Sequence, residues 1–185
     1  MKIFSNYDNI DFTSCVVSVG NFDGVHIAHQ ALLKTLLNRQ KQYKVPSVVI
    51  SFDPHPVNFF TKKEVRLFST QDLAKQLKKL GIDYLILLKF DQLLASLSAK
   101  DFLNIKLLPL RPKAIVVGED FCFGHKALGT TSTLKTWCLS RGIELEIFSD
   151  VYWDGSKVSS SRLRACYKAK QWKELEALLG RPMPK

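Results

Sequence analysis

The chain has 185 residues, 46% hydrophobic and 24% charged, the balance of a folded domain and not of a disordered or fibrous chain. No stretch approaches the roughly 20 uninterrupted apolar residues of a membrane span, and the N-terminus MKIFSNYDNIDF has no apolar core before a cleavage signal, so a cytoplasmic chain with no membrane partner is expected. The formal charge of +10 favours polyanionic ligands. Its basic residues are dispersed (KKEVR, KQLKK, RLRACYKAK), and there is no arginine-rich tail or aromatic-basic platform, so no nucleic-acid partner is expected.

Short runs rich in β-branched residues alternate with helical patterns. The first run is CVVSVG (15–20), followed by a helix from His26 to about Tyr43 with Ile27, Ala31, Leu32, Leu36 and Leu37 near one face. SVVISF (47–52) follows, and its exit SFDPHP reads as a rigid extended loop, because two prolines cannot continue a sheet ladder. The next helix is capped by Ser69 with Asp72 three residues on, and stops at Gly81. After DYLILL (83–88), a third helix follows Ser98, with Asp101 again three residues later. AIVVG (114–118), a helix from about Thr131 to Arg141 ending at Gly142, ELEIF (144–148) and a final helix pair from Ser160 to Leu179 complete the pattern.

Alternation of this kind predicts an α/β fold over residues 1–185, a parallel sheet with helices on both faces. Ligands then bind at the carboxyl ends of the strands, just after Gly20, Phe52 and Gly118. Cys15, Cys122, Cys138 and Cys166 are far apart with no CxxC pair, which suits reduced thiols better than a zinc site or disulfides. Cys15 and Cys138 lie in apolar patterns and read as small core residues.

Those strand exits carry the unusual chemistry. His26 and His29 follow a tight turn at Gly24 and open a helix, where free backbone N–H groups and the helix dipole favour an anion. Residues three apart share a face, so both imidazoles can donate to phosphate oxygens, and a protonated ring adds charge. The ordinary alternative is a solvated face, or one core and one surface histidine. A metal would need a third ligand; Asp23 and His55 are available, but the spacing demands neither. In VVGEDFCFGHKALGT, Gly118 and Asp120 close a strand, and an aspartate there suits a ribose hydroxyl. Two phenylalanines flank Cys122, and Gly124 and Gly129 frame a lysine-bearing loop. In KVSSSRLR (157–164), three serines and two arginines at a helix start form a second anion-binding pattern.

The stretches GNFDGVHIAH, SFDPHP, LGIDYLILLKF, VVGEDFCFG, VSSSRLR and LLGRP stand in one characteristic order over residues 14–182. In them the chain resembles the FMN adenylyltransferase (FAD synthetase) module of the prokaryotic bifunctional riboflavin kinase/FMN adenylyltransferase family, within the HxGH nucleotidyltransferase superfamily. The resemblance implies a Rossmann-like domain in which ATP and FMN meet and AMP passes from MgATP to FMN. It makes His26 and His29 the signature histidines on the ATP phosphates, with Ser160, Ser161 and Arg164 holding the triphosphate. Gly20, Asn21, Phe22, Asp23 and Gly24 become the nucleotide loop, and Gly118 and Asp120 the adenosine side. Phe52, Asp53, Pro54 and Pro56 become the flavin side. Mg²⁺ is implied with ATP, its protein ligands left open.

Two departures matter. Ala28 stands where the signature has glycine, and its methyl is expected to crowd the nucleotide. The chain ends three residues after LLGRP, where the bifunctional enzymes continue into a kinase domain, so a separate riboflavin kinase is expected to supply FMN. The alternatives are a binding protein weakened or inactivated by Ala28, a different acceptor such as pantetheine phosphate or nicotinamide mononucleotide, and, last, an RNA-binding module.

Overall fold

Each of the five apolar runs forms a strand in the computed structural model, which describes residues 1–7 and 10–183. Asp8, Asn9, Pro184 and Lys185 of the expected 1–185 domain lie outside those residues. Along the chain the elements are β1 (Lys2–Phe4), β2 (Cys15–Val19), α1 (Ile27–Tyr43), β3 (Ser47–Asp53), α2 (Pro56–Thr61), α3 (Thr70–Leu80), β4 (Tyr84–Lys89), α4 (Gln92–Ser96) and α5 (Ala99–Phe102). They continue as β5 (Pro112–Gly118), α6 (Thr131–Leu139), β6 (Glu144–Phe148), β7 (Tyr152–Trp153), β8 (Ser156–Lys157), α7 (Ser160–Lys168) and α8 (Trp172–Leu179).

The main sheet has the order β1-β4-β3-β2-β5-β6, and every neighbouring pair is parallel. All five residues of β2 are buried because both faces are covered, which is why the run shows no polar alternation. On one face, Leu33 and Leu36 of α1 and Leu77 of α3 pack against Val16, Val49 and Val116. On the other, Phe102, Leu107 and Leu134 cover Val17, Ile50 and Ile115. Cys15 and Cys138 are core residues, as their setting suggested. The helix pair α7–α8 forms a smaller cluster with Phe68 through Leu163, Leu175 and Leu179.

The local signals act as expected where capping chemistry is strong. Ser69 Oγ accepts from the Asp72 N–H and the Asp72 carboxylate accepts from the Ser69 N–H, a reciprocal capping box, and Gly81 ends α3 at φ +90°. SFDPHP differs from the extended loop expected. Strand β3 runs through Asp53, the Asp53–Pro54 bond is cis, and Pro56 opens α2. Proline is at ease at a first helical position, where no N–H is needed, and His55 caps the turn by accepting from the Val57 N–H at 3.2 Å. The helix expected from Thr131 to Arg141 stops at Leu139.

The strand order places a switch point between β2 and β5. From β2 the chain moves outward to β3 and β4, then crosses back to build β5 on the other side. The crevice at the carboxyl ends of β2 and β5 is where such sheets bind ligands.

Candidate active site

The turn leaving β2 is held in unusual backbone. Phe22 has φ +50°, Gly24 +79° and Val25 +41°, all in the left-handed region. For the β-branched Val25 this is a true outlier; each such strained non-glycine residue costs about 1–3 kcal/mol and persists only where its surroundings over-determine it. Only glycine fits at 24, because a Cβ there would stand 2.7 Å from Leu163 Cδ2. The turn delivers His26, in extended backbone, as the N-cap of α1, and its Nδ1 accepts from the His29 N–H at 3.3 Å.

The two imidazoles stack, with ring centres 3.6 Å apart and planes 13° from parallel. Phe22 meets His29 edge-on at 5.1 Å. Burial pushes the His26 pKa down to about 4, with the Arg181 charge adding to the fall, and burial beside His26 holds His29 well below the usual histidine range. Both rings are therefore neutral at pH 7. Since His26 Nδ1 accepts, its proton sits on Nε2, which is then an N–H donor.

That burial makes stability depend on pH. The unfolded histidine protonates near pH 6.5 and the folded His26 only near 4, so between these values the unfolded state binds more protons. Stability is full above pH 6.5 and falls as pH drops to 4, by about 3 kcal/mol from His26 alone. Urea unfolding at pH 7 and 4.5 measures the loss. A His26→Gln variant should flatten the curve, and an equally steep variant would contradict this reading.

Two cavities open at the crevice. The larger, about 440 Å³, is walled by aromatic and apolar groups from separate elements, among them Phe52, Phe60, Phe90, Phe121 and Phe123, with Gly20 and Asn21 at its base. The smaller, about 200 Å³, lies between the first turns of α1 and α7 and is lined by His26, His29, Gly118, Asp150, Lys157 and Ser160. Asp120 lines both. Lys157 Nζ is ion-paired with the carboxylates of Asp120 and Asp150 at the smaller cavity. Ala28, at the second position of α1, also lines that cavity.

Asp23 ties the site together from below. It is only 4% exposed, and its carboxylate accepts from the Leu67 and Phe68 N–H groups and, at 3.2 Å, from Arg164 Nη1. Arg164 Nη2 also donates to Ser161 Oγ, and Ser160 Oγ donates to the Asp23 carbonyl at 3.1 Å. Ser159 is the residue that caps α7, accepting from the Arg162 N–H at 3.2 Å.

The residues singled out from the sequence thus fall into three groups. His26, His29, Gly20, Asn21, Gly118, Asp120, Phe52, Pro56 and Ser160 line the cavities. Phe22, Asp23, Gly24, Ser161 and Arg164 support the turn and α7 and do not line either cavity. Asp53 and Pro54 also lie outside both linings, with Asp53 Oδ1 4.0 Å from Arg66 Nη1. Sequence reasoning missed Asp150, the place of Lys157 on the cavity, and Phe60 and Phe90 of the aromatic wall. Ser159 was one of the three serines of the anion-binding pattern, but its role as the cap was not foreseen.

Residues 8–162 match the FAD synthetase family. The chain belongs to that family. Among FAD synthetase relatives, the bifunctional riboflavin kinase/FMN adenylyltransferase of Buchnera aphidicola (subsp. Schizaphis graminum) is 37% identical over 98% of this chain and 60% of its own. That of Pseudomonas fluorescens is 38% identical over 91% of this chain and 55% of its own. The chain therefore spans about three-fifths of the length of these curated relatives. A Streptococcus pneumoniae crystal structure described as a macrolide-efflux protein superimposes with a TM-score of 0.89 at 28% identity, covering 98% of this chain and 62% of that one. Among the described residues no helix is long and apolar enough to cross a membrane. A pantoate-beta-alanine ligase from Francisella tularensis, with a TM-score of 0.58 and 12% identity over 94% of this chain and 80% of that one, shares the fold.

Proposed function

We propose that this chain transfers AMP from MgATP to FMN, giving FAD and pyrophosphate. The observation that carries the reading is the pair of adjoining cavities: an aromatic one shaped for a flat ring system, and a smaller one walled by two helix N-termini and two imidazoles, with Asp120 between them. The isoalloxazine ring lies against the phenylalanines and the ATP phosphates meet His26, His29 and Ser160. FMN phosphate is ionised at neutral pH, so one of its oxygens attacks the α-phosphorus in line without a general base, and the bond to the β-phosphate oxygen breaks. Catalysis then rests on positioning and on N–H donors preset for the developing charge.

Mg²⁺ arrives with ATP on this reading. Among the described residues no cluster of three or more His, Cys, Asp or Glu side chains is arranged to hold a metal. That fits an ion that keeps its waters and binds mostly through phosphates, with Asp120 and Asp150 the carboxylates on the cavity. Bound there, the ion would neutralise phosphate charge, and Lys157 would have to release the two carboxylates it now pairs with. The cytosol, where ATP is made available, is the site of action.

Incubation with FMN, ATP and Mg²⁺ followed by chromatography of the flavins is the test, and FAD released together with pyrophosphate is the expected product. A second reading, a flavin- and nucleotide-binding protein with little turnover, is favoured by one observation: the Ala28 methyl lines the nucleotide cavity. Bound FMN and ATP without FAD would support it. Because a misplacement near 1 Å costs about 100-fold in rate, this second reading expects Ala28→Gly to raise turnover by up to about 100-fold. Its helix-propensity cost is at most about 1 kcal/mol. Unchanged turnover would show that the methyl is harmless.

A further inference from the structure

The LLGRP stretch that closes the sequence motifs has no part in the chemistry described so far. Leu179 ends α8 and Gly180, at φ +64°, caps it while lying against the start of α1, where a Cβ would stand 3.0 Å from Ile27 Cγ2. Arg181 then turns back beneath the strained turn. Its Nη2 donates to the Gly24 carbonyl at 2.7 Å, and its Nη1 donates to the carbonyls of Val25 at 3.2 Å and Leu179 at 3.3 Å. Its guanidinium lies over the Phe68 ring at 5.7 Å. Gln30 Nε2 joins the same two elements, donating to the carbonyls of Val25 at 2.9 Å and Leu179 at 2.8 Å.

The Gly24 and Val25 carbonyls belong to the two positive-φ residues that immediately precede His26, and the Leu179 carbonyl ends α8. Strained backbone persists only where its surroundings over-determine it. A planar fork that reaches three carbonyls supplies that constraint, and an ammonium on a flexible stem does not.

We propose that Arg181 is a positioning residue for the nucleotide site: it holds the Gly24–Val25 turn in the backbone that aims His26 and His29 at the phosphates. The proposal deepens the adenylyltransferase reading and rests on it. It assigns the end of the α/β domain to the geometry of the signature histidines, at a position touching neither cavity.

The test uses the full chain with Arg181→Ala, Arg181→Lys and Gln30→Glu, the last nearly isosteric and unable to donate. Turnover and the KM for each substrate are measured beside amide hydrogen exchange. The expected result for Arg181→Ala is a 10- to 100-fold fall in turnover, with the KM for FMN within twofold and partial recovery on adding millimolar guanidinium. Lysine should behave like alanine, and Gln30→Glu should lower turnover in the same way. Exchange should quicken at least tenfold in residues 22–29 and stay unchanged in β3 and β5. Turnover within threefold of wild type, or faster exchange spread evenly over the sheet, would overturn the proposal. If the wild-type chain makes no FAD, the functional reading fails, and the exchange pattern still decides whether Arg181 holds the turn.

Discussion

Replacing His29 with alanine is expected to lower turnover by about 10²–10³-fold while changing the KM for FMN only a few-fold, because the lost group is a preset donor that acts on charge developing in the transition state. The imidazole stands at the first turn of α1, stacked on His26 and wedged by Phe22, so it costs no reorganisation when the phosphorus is attacked. Both rings being neutral, the loss is of an N–H donor and not of a fixed positive charge. Turnover should consequently stay nearly flat between pH 6.5 and 8. Steady-state kinetics, with circular dichroism to verify the fold, is the measurement. A rate within threefold of wild type would remove His29 from the site.

Asp23→Ala is expected to cost about 3 kcal/mol of stability in urea unfolding, the lower part of the range for breaking a buried ion pair. The carboxylate is almost wholly buried, while Arg164 keeps 23% side-chain exposure and can regain some hydration. Deletion leaves the Leu67 and Phe68 N–H groups without their acceptor and frees Arg164 from the turn. Asp23→Asn keeps an acceptor oxygen and should lose about half as much. A change below about 1 kcal/mol for alanine would show that the turn is held by other contacts.

The sheet and its binding edge were legible because their signals are local and strong: β-branched runs, Ser69 with Asp72, and Gly81. The histidine pair was legible for the same reason, since a turn glycine and a helix start lie next to it in sequence. Lys2–Phe4 and the Tyr152–Lys157 ribbon were not, because two or three residues show no periodicity and their pairing comes from partners elsewhere in the chain. Pro56 misled because the same residue that breaks a strand also opens a helix well. From the sequence Asp23 was expected in a nucleotide loop, yet it lines neither cavity. Its role as a buried knot depends on Arg164, 141 positions away, and no local pattern announces that distance. Phe60 and Phe90 of the aromatic wall were hidden likewise, arriving from α2 and the loop after β4 to meet Phe52, Phe121 and Phe123.

Asp120 lines both cavities, and on the proposed adenylyltransferase reading that geometry bears on what leaves the site. Either substrate fills one chamber and holds on with one set of contacts. The dinucleotide made from them is a tethered pair, its flavin half in one chamber and its adenylate half in the other. Once one half has settled, the other rebinds at an effective concentration set by a short linker, about millimolar. Such a product would outstay either of its parts, so on that reading two chambers that bring two molecules together also slow the departure of the one they become.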